Sequence, residues 1–131
     1  MVKKLISTLT VPVRWMDLDA YGHVGNARLF DLMTDARVET YVKVGDFNLD
    51  MHYVVAEAQC SFKKPILYPN ELIIKQYCEK VGRSSFTLFY EFFVKNDLEN
   101  ICAEGKLVMV CFDPKLKRPT PLPEALYKFL N

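Results

Sequence analysis

Two hydrophobic periods divide the chain. Phe30, Met33, Tyr41 and Val44, with Arg37 among them, recur at helical spacing, and Leu29, Leu32 and Val42 widen the apolar surface well beyond one stripe. That breadth predicts a helix over Asn26 to Val44, largely enclosed, with Gly45 as its stop. Elsewhere the period is 2. A first strand is expected from about Ile6 to Trp15, and a second from Val54 to Lys63, where Ala56, Ala58, Cys60 and Phe62 alternate with Glu57, Gln59, Ser61 and Lys63. One face of that second strand should be buried. Three more strands follow, Glu71 to Val81, Ser84 to Lys95 and Ile101 to Phe112, joined by a tight turn at Gly82-Arg83 and a polar loop at Asn96-Asp97. Such short connections imply an antiparallel meander.

Element lengths then suggest an architecture. The helix would be roughly 28 Å long at 1.5 Å per residue, and ten-residue strands reach roughly 33 Å. A long, broadly apolar helix and five long antiparallel strands bury themselves when the twisted sheet curls around the helix. The expected fold is therefore α+β: a hotdog fold, with a five-stranded antiparallel sheet wrapped around a long central helix and a short C-terminal helix. In the Ser84 to Lys95 run, Phe86, Leu88, Tyr90, Phe92 and Val94 make one apolar face, while Phe89 and Phe93 put aromatics on the other, which argues for an oligomer.

Composition narrows the function classes. A chain of 131 residues fits one domain spanning residues 1–131. Seventeen Lys and Arg against sixteen Asp and Glu leave a formal charge of +1, so no nucleic-acid or membrane footprint is expected and any anion site must be local. Cys60, Cys78, Cys102 and Cys111 are widely spaced and show no metal-ligand pattern, which reads as reduced, buried thiols. The opening MVKKLISTLTVPVRW has no apolar leader core, and no run reaches the ~18 apolar residues of a membrane span. A cytoplasmic protein is expected.

The candidate chemistry lies between the first strand and the helix, where Asp17-Leu18-Asp19-Ala20-Tyr21-Gly22-His23-Val24-Gly25-Asn26 sets carboxylates and glycines beside a helix start. Backbone N–H groups there lack intrahelical partners and carry the positive end of the helix dipole, which suits a developing oxyanion. Asp residues before a helix also serve as caps and turn formers, and His23 reads as a structural hydrogen-bonding group, since no Ser or Cys nucleophile accompanies it.

This segment resembles the DxDxxGHVNN motif of the 4-hydroxybenzoyl-CoA thioesterase-like hotdog family. The similarity runs over nearly the whole chain, because Lys64-Pro65 before Asn70-Glu71, Gly82-Arg83-Ser84-Ser85-Phe86, Val110-Cys111-Phe112-Asp113 and Pro121-Leu122-Pro123-Glu124 resemble later family segments in order. The resemblance implies an acyl-CoA thioesterase without metal or redox cofactor, a homodimer or homotetramer with active sites between subunits. Asp19 matches the catalytic carboxylate, as general base or as nucleophile, and Asn26 matches the position whose backbone N–H polarises the thioester carbonyl. Asp17 is expected to order the turn, and Gly25 to let substrate approach the backbone. Lys63, Lys64, Arg83 and Ser84 are expected at the CoA side, the cations facing its phosphates. The pattern departs from the family at Gly25-Asn26 for Asn-Asn, at Leu29 for an aromatic and at Pro69-Asn70 for Gly-Asp, which bears on the acyl pocket. Alternatives are a non-catalytic acyl-CoA-binding hotdog protein and a thioesterase acting on acyl carrier protein.

Overall fold

Strand alternation and the helical stripe meet on one surface. The computed structural model describes residues 3–45 and 52–131, with β1 (Lys4–Pro12), α1 (Asn26–Val44), β2 (His52–Phe62), β3 (Glu71–Glu79), β4 (Ser85–Val94), β5 (Ala103–Asp113), β6 (Arg118–Pro119) and α2 (Glu124–Leu130) in order. The sheet runs β1-β3-β4-β5-β2, every pair antiparallel, and the short β6 extends it beside β5. This is the expected α+β hotdog architecture, with β6 as the addition. Two residues of pairing leave no periodic signal in a sequence.

The core lies between the sheet and α1. Leu72, Ile74, Phe86, Leu88, Tyr90, Phe92, Leu107 and Met109 project from one face of the central strands against Leu29, Leu32, Met33 and Ala36 of the helix. Gln76 also points inward and is fully buried, its amide donating to Ser7 Oγ (2.9 Å), Thr40 Oγ1 (2.9 Å) and the Ala36 carbonyl (3.3 Å). The Tyr90 hydroxyl donates to Gln76 Oε1 (2.5 Å), and the Met33 carbonyl is 3.2 Å from the same oxygen. Every polar atom of the amide is thereby partnered, and the helix is pinned to the sheet by directional bonds. Gly105 of β5 faces Met33, and a Cβ there would overlap the Met33 sulfur and stand 3.3 Å from Tyr90 Cβ.

Two expectations need correction. The helix is not enclosed: Asp31, Thr34, Asp35, Glu39, Val42 and Lys43 are exposed, because only the Leu29, Leu32, Met33, Ala36 and Tyr41 side meets the sheet. The helix does end as expected, at Gly45 with φ 79° and its N–H turned back to the carbonyls of Tyr41 and Val42. Strand β2 is not buried on one face. It is the sheet edge, and the register slips between Val55 and Glu57, so Ala56 sits in a bulge, and only Tyr53 and Cys60, on either side of it, are half-buried among the described side chains of the strand. Within one chain Phe93 is buried and Phe89 half-buried, with the Lys3 and Lys75 ammonium groups 4.2 and 5.4 Å from the Phe89 and Phe93 ring centroids.

Candidate active site

The segment from Arg14 to Asn26 leaves β1, makes one 3-10 turn at Trp15–Asp17 and closes on itself before entering the helix. Its base is stapled by the Gly25 N–H to the Asp17 carbonyl (2.9 Å) and by a bridge between Leu18 and Val24. Inside it, the Asp19 N–H donates to the His23 carbonyl (2.7 Å) and the Gly22 N–H to the Asp19 carbonyl (3.1 Å), with Gly22 at φ 79°, a conformation that favours glycine. Asp19 Oδ1 accepts the N–H groups of Tyr21 (2.9 Å) and His23 (3.3 Å). Its other oxygen has no hydrogen-bond partner among the described residues, so one carboxylate oxygen shapes the turn and the other is unengaged there.

The helix start is left open in the same way. Gly25 is the N-cap, in extended conformation, and no side chain caps the first turn, which carries no acidic residue. The N–H of Arg28 turns back to the Gly25 carbonyl (3.1 Å), while that of Asn26 finds no acceptor among the described residues. The loop is held against the end of β2 by the Val24 N–H to the Ile66 carbonyl (2.9 Å), and β2 leads there through the N–H groups of Lys63 and Lys64, both bonded to the Cys102 carbonyl (2.9 and 3.0 Å).

Between these pieces is a cavity of about 270 Å³ lined by Asp19, His23, Asn26, Lys63 and Lys64 at an exposed rim and by Val24, Leu29, Ile66 and Cys102 at a buried wall. A polar rim over an apolar wall suits a molecule with a reactive carbonyl at the junction and an apolar acyl portion within. The two lysines are engaged only loosely, Lys64 with Asp97 (3.4 Å) and Lys63 with Glu104 (3.7 Å), at the surface.

Residues 13–130, from just after β1 to the last residue of α2, match the model of a family described as the thioesterase-like superfamily. The chain belongs to this thioesterase-like superfamily. Membership makes it a thioester hydrolase. Among relatives of this thioesterase, the uncharacterized protein YsmA of Bacillus subtilis (strain 168) is 32% identical over 103 residues, 76% of this chain and 68% of that protein. The PA2801 protein of Pseudomonas aeruginosa superposes with a TM-score of 0.91 at 28% identity, over 98% of this chain and 100% of the other. A DHNA-CoA thioesterase from Staphylococcus aureus reaches a TM-score of 0.77 at 21% identity, over 88% and 80% of the two chains, and is similar in fold.

Within the thioesterase, Asp19, Asn26 and Lys64 line one cavity, and His23 and Lys63 stand beside them. Gly25 does not line that cavity but a second hollow, which Asp19 shares with Arg14, Asp17, Arg28 and Asp31. Arg83 and Ser84 are not brought to Asp19 within one chain. They sit at the far end of the ten-residue strand β4, a span of roughly 30 Å, where Arg83 lines a separate cavity of about 420 Å³ with Asp113, Arg118 and Thr120, and the Ser84 carbonyl accepts the Cys111 N–H (2.8 Å). No group of three or more His, Cys, Asp or Glu gathers as a metal site among the described residues, and no described helix is long and apolar enough to cross a membrane.

Sequence reasoning missed the arginines behind the loop. Asp17 is buried, and its carboxylate accepts the Arg14 N–H (2.8 Å), Arg14 Nε (3.0 Å) and Arg14 Nη2 (2.8 Å), with Arg28 Nε 3.0 Å away as an ion-pair contact. Burial by itself pushes this carboxyl up; the hydrogen bonds from the Arg14 side chain and backbone and the charges of Arg28 and Arg14 outweigh it and hold the group below the usual carboxylate range. With the folded value depressed, the contribution to stability is fully present above the ordinary carboxylate range and is lost as pH falls through the folded value. One signal was legible: a cation in the first turn of a helix opposes the dipole, and Arg28 there calls for a nearby acid.

Cys102 reaches the cavity wall, and burial pushes it up, as it pushes Cys60 to about 11 and Cys78 to about 12, so all three stay protonated at neutral pH.

Proposed function

We propose that the protein hydrolyses an acyl-CoA thioester to the free acid and CoA, with Asp19 as the catalytic carboxylate and the Asn26 N–H as an oxyanion donor. The observation that carries this reading is that two residues lining one small cavity, Asp19 and Asn26, offer a carboxylate oxygen and a helix-start N–H that have no partner among the described residues. In the reaction water oxygen bonds to the acyl carbon, the C–S bond breaks, and the water proton passes by way of the carboxylate to the departing thiolate. A carboxylate that first attacks the carbon itself reaches the same products through a mixed anhydride. Lys64, and Lys63 beside it, would meet the phosphate-bearing part of CoA at the rim. Reduced thiols throughout the chain accord with a cytoplasmic setting.

A second copy would complete the site. Strand β2 exposes one unpaired edge and carries Val54, Val55 and Phe62 at 40%, 42% and 48% exposure, a long apolar edge of the kind proteins do not leave bare. Antiparallel pairing of two β2 edges about a two-fold axis would set the Tyr53 end of one copy beside the Phe62 end of the other. That inversion carries the partner's Arg83 and Ser84 end toward this chain's Asp19 end. The expected result from light scattering is at least a dimer mass, with Val55→Asp shifting it toward monomer and lowering turnover together. A monomer mass for the unaltered protein would reject the shared site.

The functional reading itself is tested by thiol release from short, long and aromatic acyl-CoAs and from acyl carrier protein thioesters, without added metal. Turnover of at least one is expected. A folded sample that binds CoA esters and turns over none would instead be an acyl-CoA-binding protein.

A further inference from the structure

We infer that Asp17 is a positioning residue for the proposed reaction: by clamping Arg14 and Arg28 with its side chain and Gly25 with its carbonyl, it fixes the Asp19 carboxylate relative to the start of α1. The inference rests on the functional reading above and goes beyond it, since no part of Asp17 lines the Asp19–Asn26 cavity.

Two bonds made by one residue set the geometry. The Asp17 carbonyl holds the Gly25 N–H at 2.9 Å, so the chain entering the Asp19 loop is tied to the chain that leads into the helix. A Cβ on Gly25 would be 3.8 Å from both the Asp17 carbonyl oxygen and Asp19 Cβ, which shows how closely the helix start, the clamp and the proposed catalytic group are packed. Meanwhile the Asp17 carboxylate, its side chain only 3% exposed, joins Arg14 on the incoming side to Arg28 on the first turn of α1. Arg28 repels the helix dipole where it stands. A positive charge at that place is tolerated because a buried acid neutralises it, and the same pair anchors the loop to the helix.

Charge gives the inference a signature that simple bracing would lack. The charged groups around Asp19 are His23 from its own loop, Lys63 and Lys64 from beyond β2, and Arg14, Asp17, Arg28 and Asp31 from the hollow behind. Without the Asp17 charge, Arg28 is an unpaired cation next to the loop, which favours ionised Asp19 and makes it a weaker base. Without the Arg28 charge the balance tips the other way.

The experiment compares Asp17→Asn, Arg28→Gln and the double variant. Thermal melting establishes the folded fraction, and kcat, KM and the pH profile of kcat are measured per folded enzyme. Both single variants are expected to lose about 10-fold or more in kcat at little-changed KM, as misplacement of a reacting group does. The acid limb should move to lower pH in Asp17→Asn, to higher pH in Arg28→Gln, and return toward the unaltered position in the double variant. Arg28→Gln leaves the Arg14 contacts to Asp17 in place and so keeps the test open if Asp17→Asn does not fold. Wild-type kcat and an unmoved pH limb in the folded variants would overturn the inference. NMR titration of the Asp19 carboxyl reads the same opposite-signed shifts without any turnover: their absence also overturns it, whereas a wild-type protein inactive on every thioester fails the functional reading instead.

Discussion

Asp19→Asn is expected to lower kcat by about 100-fold or more while leaving the melting temperature and acyl-CoA binding nearly unchanged. The amide keeps an acceptor oxygen for the Tyr21 and His23 N–H groups, so the loop retains the two bonds that shape it. What it loses is the negative charge on the second oxygen, the atom with no partner among the described residues, and with it the capacity to take a proton from water or to attack a carbonyl. Losing a general base typically costs about 10²–10⁴ in rate, whereas a lost turn hydrogen bond costs about 1 kcal/mol of stability. Initial rates at saturating substrate, beside a thermal melt, separate the two. An Asp19→Asn protein that is folded and fully active would remove the carboxylate from the chemistry.

Gly105→Ala is expected to destabilise the protein by about 1–3 kcal/mol, the usual cost of forcing an extra carbon into a filled core. An alanine in a strand ordinarily gains about 0.5–1 kcal/mol over glycine, so the sign of the result decides which effect wins. Here the added carbon would overlap the Met33 sulfur and stand 3.3 Å from Tyr90 Cβ, so the fully buried Met33 thioether has to shift within a filled core. Urea denaturation should show the loss in the midpoint without a change of slope. Combining it with Met33→Ala tests the cause, because the double variant should be less destabilised than the sum of the two singles. Strict additivity would mean that the two residues do not compete for space.

The legible parts of this fold were those in which one physical rule acted alone. The stop at Gly45 is one, and the alternation of Phe86, Leu88, Tyr90 and Phe92 is another. Strand β2 misled because its alternation describes an edge with a bulge, and a sequence pattern does not tell an edge that awaits a partner from a face already buried. Gln76 read as an ordinary polar residue in a strand, although it occupies a core position whose hydrogen bonds come from residues distant in sequence. At the candidate site the motif pointed to Asp19 and Asn26, both of which line the cavity, while Arg14 and Arg28 escaped notice because their partnership with Asp17 appears only once the chain has turned. Arg83 was grouped with Lys64 by family resemblance, and only the sheet topology shows that one chain cannot bring them together.

The buried amide of Gln76 has a mechanical consequence at the other end of the helix. Its bonds grip α1 at Ala36 and Thr40, which lie ten and fourteen residues along from Asn26, a lever arm of roughly 15–21 Å. A tilt of about 5° around that pivot would swing the Asn26 N–H by about 1.5 Å, and errors of about 1 Å are enough to cost a reaction two orders of magnitude. The angle of the helix start against the sheet is thus constrained by a side chain that does not line the Asp19–Asn26 cavity.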